Sequence, residues 1–358
     1  MNSKIIEMAI AWLFIAIVVI IALCIDRIDK KRQSQLIAVC IISTSLMMSF
    51  RTLGLDLANY QVLYTTQFVP FWFGNGINDI FSQQYEAVNY IMAQLFGASG
   101  FRLYLFAMNI IPQILVYMIV RKQAHPFLYY APFILYYLFL MDQVRQFFAG
   151  SFVLLSLFAE GALLSLIVLC GIAFAHFGSI PAMVIGIFKN KMPSQVFLLF
   201  LAIFIFICGY VISQNSVDSG ILGRLSTYFD DGFSVSVSSL HDIVRLLFAL
   251  YGPVTLTIFF ISNTRRFVTL RDSESSIFKS AFDYQRIAGV IFFALFFATQ
   301  SEVIAPRLFN IMSFGSFILI GKYLEMSKKK SLLVVLLWLV SIDLVATLYY
   351  FSAFVSWS

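Results

Sequence analysis

Charge is scarce in this sequence. Asp, Glu, Lys and Arg make up 12% of its 358 residues, where a soluble domain carries about 25%. Histidine occurs only three times, too few for a histidine-rich metal centre. The four cysteines, Cys24, Cys40, Cys170 and Cys208, lie singly inside apolar stretches. They read as small core hydrophobes, with neither a disulfide framework nor metal-ligand spacing. There is no nucleotide-binding glycine loop, no internal repeat and no soluble catalytic domain. Apolar residues are abundant instead, at 61% of the chain with 40 Phe and 17 Tyr. That balance excludes a soluble enzyme, a secreted disulfide module and a nucleic-acid-binding domain.

So much apolar sequence is what ten to twelve membrane spans of about 20 residues each would use. The expected fold class is all-α, a single polytopic membrane domain over 1–358 with about twelve transmembrane helices, ten at least and fourteen at most. The first run, Ile5 to Ile25, lacks a basic leader and a small-residue cleavage site, so it reads as a retained span. Further spans are expected at 35–50, 101–120, 127–141, 146–159, 162–176, 178–188, 194–212, 241–262, 284–300, 304–321 and 331–353. Residues 178–188 are too short to cross alone, and Tyr85–Phe96 suits a half-span or a surface helix.

The net charge of +6 is uneven along the chain. With twelve alternating spans, one side collects 17 of the 24 Lys and Arg against seven acids, and the other seven basic residues against eleven acids. The first side, carrying Arg27–Arg32, Arg121–Lys122, Lys189–Lys191, Arg265–Lys279 and Lys322–Lys330, is therefore expected to be cytoplasmic. Its longest loop is 263–280. Two longer loops, 51–100 and 213–240, fall on the outer side. No nucleotide reaches that side, so a substrate there arrives already activated or already carried by a lipid.

Candidate site residues gather on the outer side. In FRTLGLDLANY, Arg51 is followed by Asp56, Asn59 and Tyr60, which would share one helical face. The plainer alternative is a span end, with a snorkelling arginine and an interfacial tyrosine. Glu86 opens an apolar stretch and suits either a helix-start carboxylate or a site acid. Arg145 follows Asp142 by three residues; it either pairs locally or grips phosphate oxygens. His176 and Ser179 lie in IAFAHFGS, where the imidazole suits proton transfer or a buried hydrogen bond. Arg224 and Tyr228 sit four apart, Arg307 follows Pro306, and Arg245 lies four residues after His241. Arginines at membrane depth are costly and face a bundle interior or a polar cavity. As a set they point to an anionic substrate.

FRTLGLDLANYQVLY resembles the "Arg, Gly-x-Asp, Asn-Tyr" signature in the first long outer loop of the EpsG/Wzy-like polysaccharide polymerases. In order, Glu86, Arg145 with Ala149 and Gly150, His176 with Ser179, Arg224 with Tyr228, and Arg307 continue the pattern over residues 45 to 310. Leu55 departs from it, standing where many members carry Thr.

The resemblance implies a glycosyltransferase of the bacterial inner membrane, active in O-antigen, capsule or exopolysaccharide synthesis. Such enzymes join polyprenyl-diphosphate-linked oligosaccharide repeat units on the periplasmic or outer face. It implies Asp56, Glu86 or His176 as the base. Arg51, Tyr60, Arg145, Ser179, Arg224, Tyr228 and Arg307 would bind the substrate. No cofactor, no metal and no nucleic acid is implied; a chain-length regulator and a flippase are expected in the same membrane. Alternatives are an O-antigen ligase, a flippase, an acyltransferase using His176, and a scaffold or channel. A flippase would show two pseudo-symmetric halves, and none is visible.

Overall fold

A computed structural model describes residues 2–52, 57–66, 93–138, 144–157, 194–214, 240–273, 276–299 and 304–355. Among the described residues there are thirteen α-helices. They are α1 (Asn2–Leu23), α2 (Lys30–Phe50), α3 (Leu57–Thr66), α4 (Phe101–Val120), α5 (Pro126–Tyr137), α6 (Val144–Ser156), α7 (Gln195–Gln214), α8 (Leu240–Ser262), α9 (Thr264–Ser273), α10 (Ser276–Thr299), α11 (Ile304–Met312), α12 (Ser316–Glu325) and α13 (Lys329–Val355).

The all-α class holds, but the expected twelve spans do not. Among the described residues six helices are long and apolar enough to cross a membrane: Lys4–Leu23, Lys30–Phe50, Phe101–Val120, Leu240–Ser262, Phe278–Thr299 and Lys329–Ser352. The expected span 127–141 is the 12-residue α5, and 146–159 is the 13-residue α6. The expected span 304–321 is broken into α11, a 3-10 turn at Ser313–Gly315, and α12. The apolar part of α7 is the shorter stretch Gln195–Val211. Expected spans 162–176 and 178–188 lie outside the described residues.

The physical reason is plain in α5, where all twelve residues are buried. A helix apolar on every side can be surrounded by protein instead of lipid, and so needs no membrane-spanning length. Pro126 starts α5, where its missing N–H costs nothing. The helix then packs on α1, α2, α4, α12 and α13. At its far end Phe133 meets Phe147, Phe314 and Phe317 with ring centroids 5.9, 5.6 and 5.2 Å apart. These tilted and edge-on contacts suit the ring quadrupoles.

α5 and α12 cross in backbone contact. A β-carbon built on Gly321 would stand 2.7 Å from Tyr129 Cα, so only glycine fits. Close approach through small residues is how helices associate where lipid removes the hydrophobic driving force. The crossing is fastened by Tyr129 OH, which donates to Glu325 Oε2 at 2.8 Å, while Lys322 Nζ of the same helix α12 lies 3.2 Å from that oxygen. Gly321→Ala is expected to destabilise the fold by about 1–3 kcal/mol through overpacking, read as a lower unfolding temperature in detergent. An unchanged transition would mean that the crossing yields freely.

The basic turns meet at one end of the bundle. Lys30 Nζ donates to Lys122 O at 3.4 Å, Lys329 Nζ lies 3.5 Å from Asp26 Oδ2, and Arg266 Nη2 donates to Met326 O at 3.2 Å. The connections α1–α2, α4–α5, α8–α9 and α12–α13 thus share an end. At the opposite end Glu7 accepts from Thr52 N and Oγ1 at 2.8 and 2.7 Å, and His241 Nδ1 lies 3.0 Å from Ser352 Oγ. The starts of α1 and α8 and the ends of α2 and α13 meet there.

Candidate functional site

The end opposite the basic turns holds the described part of the predicted site. α2 stops at Phe50, and Arg51 leaves the helix with φ −58° and ψ 150°. Its side chain is 95% buried, and Nη1 lies 3.5 Å from Met48 Sδ. Two neighbours hold this corner. Glu7 of α1 grips Thr52, and Arg102 Nη1 on α4 donates to Ser49 O at 2.8 Å and Arg51 O at 3.0 Å. A cation at the last carbonyls of a helix satisfies orphan acceptors and suits the dipole. Arg102 was absent from the residues picked out by sequence. The signal for it is an arginine in the first turn of an apolar helix, directly after the Gly97–Gly100 turn.

Tyr60 projects from α3 into a second apolar cluster, with Tyr64, Phe101, Tyr104, Leu105, Met108 and Val144. Tyr64 anchors it. Its ring lies 5.6 Å from those of Phe101 and Tyr104, and its hydroxyl donates to Gly97 O at 3.1 Å. Gly97 takes φ +66°, a conformation open to glycine. Burial raises the Tyr64 phenol above its usual range, so it stays a neutral donor. α3 is thereby fixed against α4, inside the stretch 51–100 that reads as a loop by sequence.

Val144, in the same cluster, begins α6, and Arg145 is the second residue of that helix. Gly150 has a packing role, since a β-carbon there would clash with the Phe314 ring. Arg307 lies half-buried in α11, which packs against α6, α8 and α10. One turn further on, Asn310 Oδ1 accepts from Tyr136 OH at 3.2 Å. Arg51 is thus bonded from α4, Tyr60 and the start of α6 bearing Arg145 pack beside α4, and the Arg307 helix packs on α6. Asp56, Glu86, His176, Ser179, Arg224 and Tyr228 lie outside the described residues.

Beneath this end runs a polar seam between α2, α4 and α5. Gln113 Oε1 accepts from Thr44 Oγ1 at 2.8 Å and from Tyr130 OH at 2.9 Å, while Nε2 donates to Ser45 Oγ at 3.0 Å. Thr44, Ser45, Gln113 and Tyr130 are fully buried. Hydrogen bonds between helices fix which faces meet, each worth about 0.6–2 kcal/mol in a membrane. Gln113→Leu strands three partners at once. It is expected to lower the unfolding temperature more than the exposed control Gln195→Leu; equal effects would deny the seam a structural role.

Among the described residues no three His, Cys, Asp or Glu side chains come together as a metal site would need. Buried polar seams, six long apolar helices and cations gathered at the ends define a polytopic α-helical membrane protein. Residues 34–357 match the EpsG family, and the chain belongs to that family. No curated protein and no solved structure matches it.

Proposed function

We propose that this protein is a polysaccharide polymerase that transfers a growing glycan from its polyprenyl diphosphate to a hydroxyl of an incoming lipid-linked repeat unit. Membership of the EpsG family supports the reaction class. The observation that supports the reading is that α4, which bonds the Arg51 carbonyl through Arg102, packs on the Arg145-bearing α6, and α6 packs on the Arg307 helix. Basic turns favour the cytoplasm, so the arginine end faces the periplasm or exterior of a bacterial inner membrane, beyond the reach of nucleotides.

In the transfer, the bond from the anomeric carbon to the phosphate oxygen breaks and a bond to the acceptor oxygen forms. Guanidinium groups neutralise the charge that develops on the departing diphosphate, a preorganised electrostatic effect. Planar guanidinium forks bind phosphate oxygens in pairs, the role assigned to Arg51, Arg145, Arg224 and Arg307. The acceptor proton passes to a carboxylate or imidazole, with Asp56 ranked before Glu86 and His176. Tyr60, Ser179 and Tyr228 supply neutral hydrogen bonds to the sugars. A flippase and a chain-length regulator would work beside the enzyme in the same membrane.

Deletion followed by gel profiling of cell-surface glycan tests the reaction. Loss of a polymerase leaves core carrying one repeat unit, whereas loss of a ligase or a flippase leaves none. The orientation has its own test. Single cysteines at Asn75 and Ser236, in a background lacking the four native ones, are expected to react with an impermeant thiol reagent in intact cells. Labelling only after permeabilisation would invert the proposed topology.

A further inference from the structure

A cavity of about 720 Å³ lies between α7, α8 and α10. Its walls are almost wholly apolar, including Ala202 and Phe206 of α7, Phe260 of α8, and Phe282 and Phe297 of α10. Phe206 and Phe297 are 43% and 65% exposed, so the cavity opens sideways toward the hydrocarbon of the bilayer. From Phe282 to Phe297 α10 rises about 22 Å, enough to cover one leaflet of a hydrocarbon core about 30 Å thick.

Thr257, Thr264, Gln285 and Arg286 interrupt the walls. Gln285 of α10 and Thr257 of α8 are 3% and 8% exposed, and both line the cavity. Among the described residues neither the Gln285 amide nitrogen, its oxygen, nor Thr257 Oγ1 has a hydrogen-bond partner. A buried amide with nothing to bond is costly, so these atoms are suited to a ligand that brings polar oxygens into an otherwise greasy slot.

The charge is positive at the same end. Arg286 lines the cavity with its guanidinium carbon 5.9 Å from the Phe282 ring centre. Side chains on a helix lean toward its N-terminus, which for α10 is the basic end. Lys279 precedes Arg286 by seven residues, on the same face. Exposed Arg265 follows Thr264, which lines the cavity. Between residues 265 and 286 the sequence carries five Lys and Arg against the three acids Asp272, Glu274 and Asp283, so the balance there is positive.

We propose that this cavity binds an anionic phospholipid of the leaflet at the basic end. One acyl chain lies between α7, α8 and α10, the ester carbonyl oxygens accept from Gln285 and Thr257, and the phosphate meets Arg286, Lys279 and Arg265. Basic pockets between transmembrane helices recognise anionic headgroups in this way. The site is independent of the polymerase reading, since it takes a structural lipid and not the glycan carrier.

The test is native mass spectrometry of the full-length protein, delipidated in detergent and offered phosphatidylglycerol, phosphatidylcholine of the same chains, or polyprenyl phosphate. Phosphatidylglycerol is expected to be retained several-fold better than either competitor. The double variant Lys279→Gln, Arg286→Gln should abolish that preference while leaving acyl-chain binding. Gln285→Leu should weaken phosphatidylglycerol several-fold with the helical circular dichroism unchanged. Ala202→Phe, which fills the slot, should remove binding; the milder Gln285→Leu keeps the test valid if Ala202→Phe misfolds. Equal retention of the two phospholipids, undiminished binding in Gln285→Leu, or displacement by polyprenyl phosphate would each overturn the proposal.

Discussion

Arg51→Lys is expected to lower polymer formation about 10²–10³-fold, the usual loss when a preorganised donor to developing charge is removed. Lysine keeps the positive charge but loses the planar fork that grips two phosphate oxygens. The corner itself should persist, because Thr52 is held by Glu7 and the last carbonyls of α2 are held by Arg102, neither of which is altered. Arg51→Ala should lose at least as much activity and also leave a void beside Met48. Arg102→Gln is the informative companion. Arg102 bonds the backbone, so its loss should lower the unfolding temperature together with activity. The measurement is polymer formed over time in proteoliposomes, with unfolding temperature recorded for each variant. A wild-type rate in Arg51→Lys at matched protein would remove the fork from the mechanism.

The class of the protein was legible because it rests on composition. The number of spans was not, for a reason visible in α5. A run of twelve apolar residues has the same hydropathy whether lipid or protein surrounds it, and here protein surrounds it on every side. α11 and α12 read as one span because SFG at 313–315 is neither charged nor proline-bearing, yet it makes the 3-10 turn that divides them. α10 begins eight residues earlier than expected. Lys279 and Asp283 hid its first turns from a hydropathy reading, although Asp283 is buried. The Asn263–Ser280 stretch contains α9 and the first turn of α10, where charge suggested a loop. For the site, Arg51 and Tyr60 were readable as types at a spacing. Arg102 was not, because its importance lies in which carbonyls it reaches across 51 and 53 residues of sequence.

Asp56→Asn is expected to cut turnover about 10²–10⁴-fold, the range of a general-base contribution. Asp56 lies outside the described residues, between the described Thr52 and Leu57. Thr52 is tied to Glu7, and α3 starts at Leu57 with Tyr60 and Tyr64 buried against α4. An aspartate directly before a helix has a second possible use, as the cap that accepts from the first free N–H groups. Asparagine caps about as well as aspartate, so the Asn variant preserves that use and removes only basicity. Alanine removes both, and a cap lost to alanine costs about 0.5–2 kcal/mol. The two variants therefore separate the roles. A base gives a large loss in Asp56→Asn with an unchanged unfolding temperature. A cap gives near-normal turnover in Asp56→Asn and a lowered unfolding temperature in Asp56→Ala alone. Turnover would be followed in proteoliposomes with purified lipid-linked repeat units, and substrate binding measured separately, since the Asn variant should still bind. Near-wild-type polymer from Asp56→Asn would pass the role of base to Glu86 or His176, each then tested by its own amide or alanine exchange.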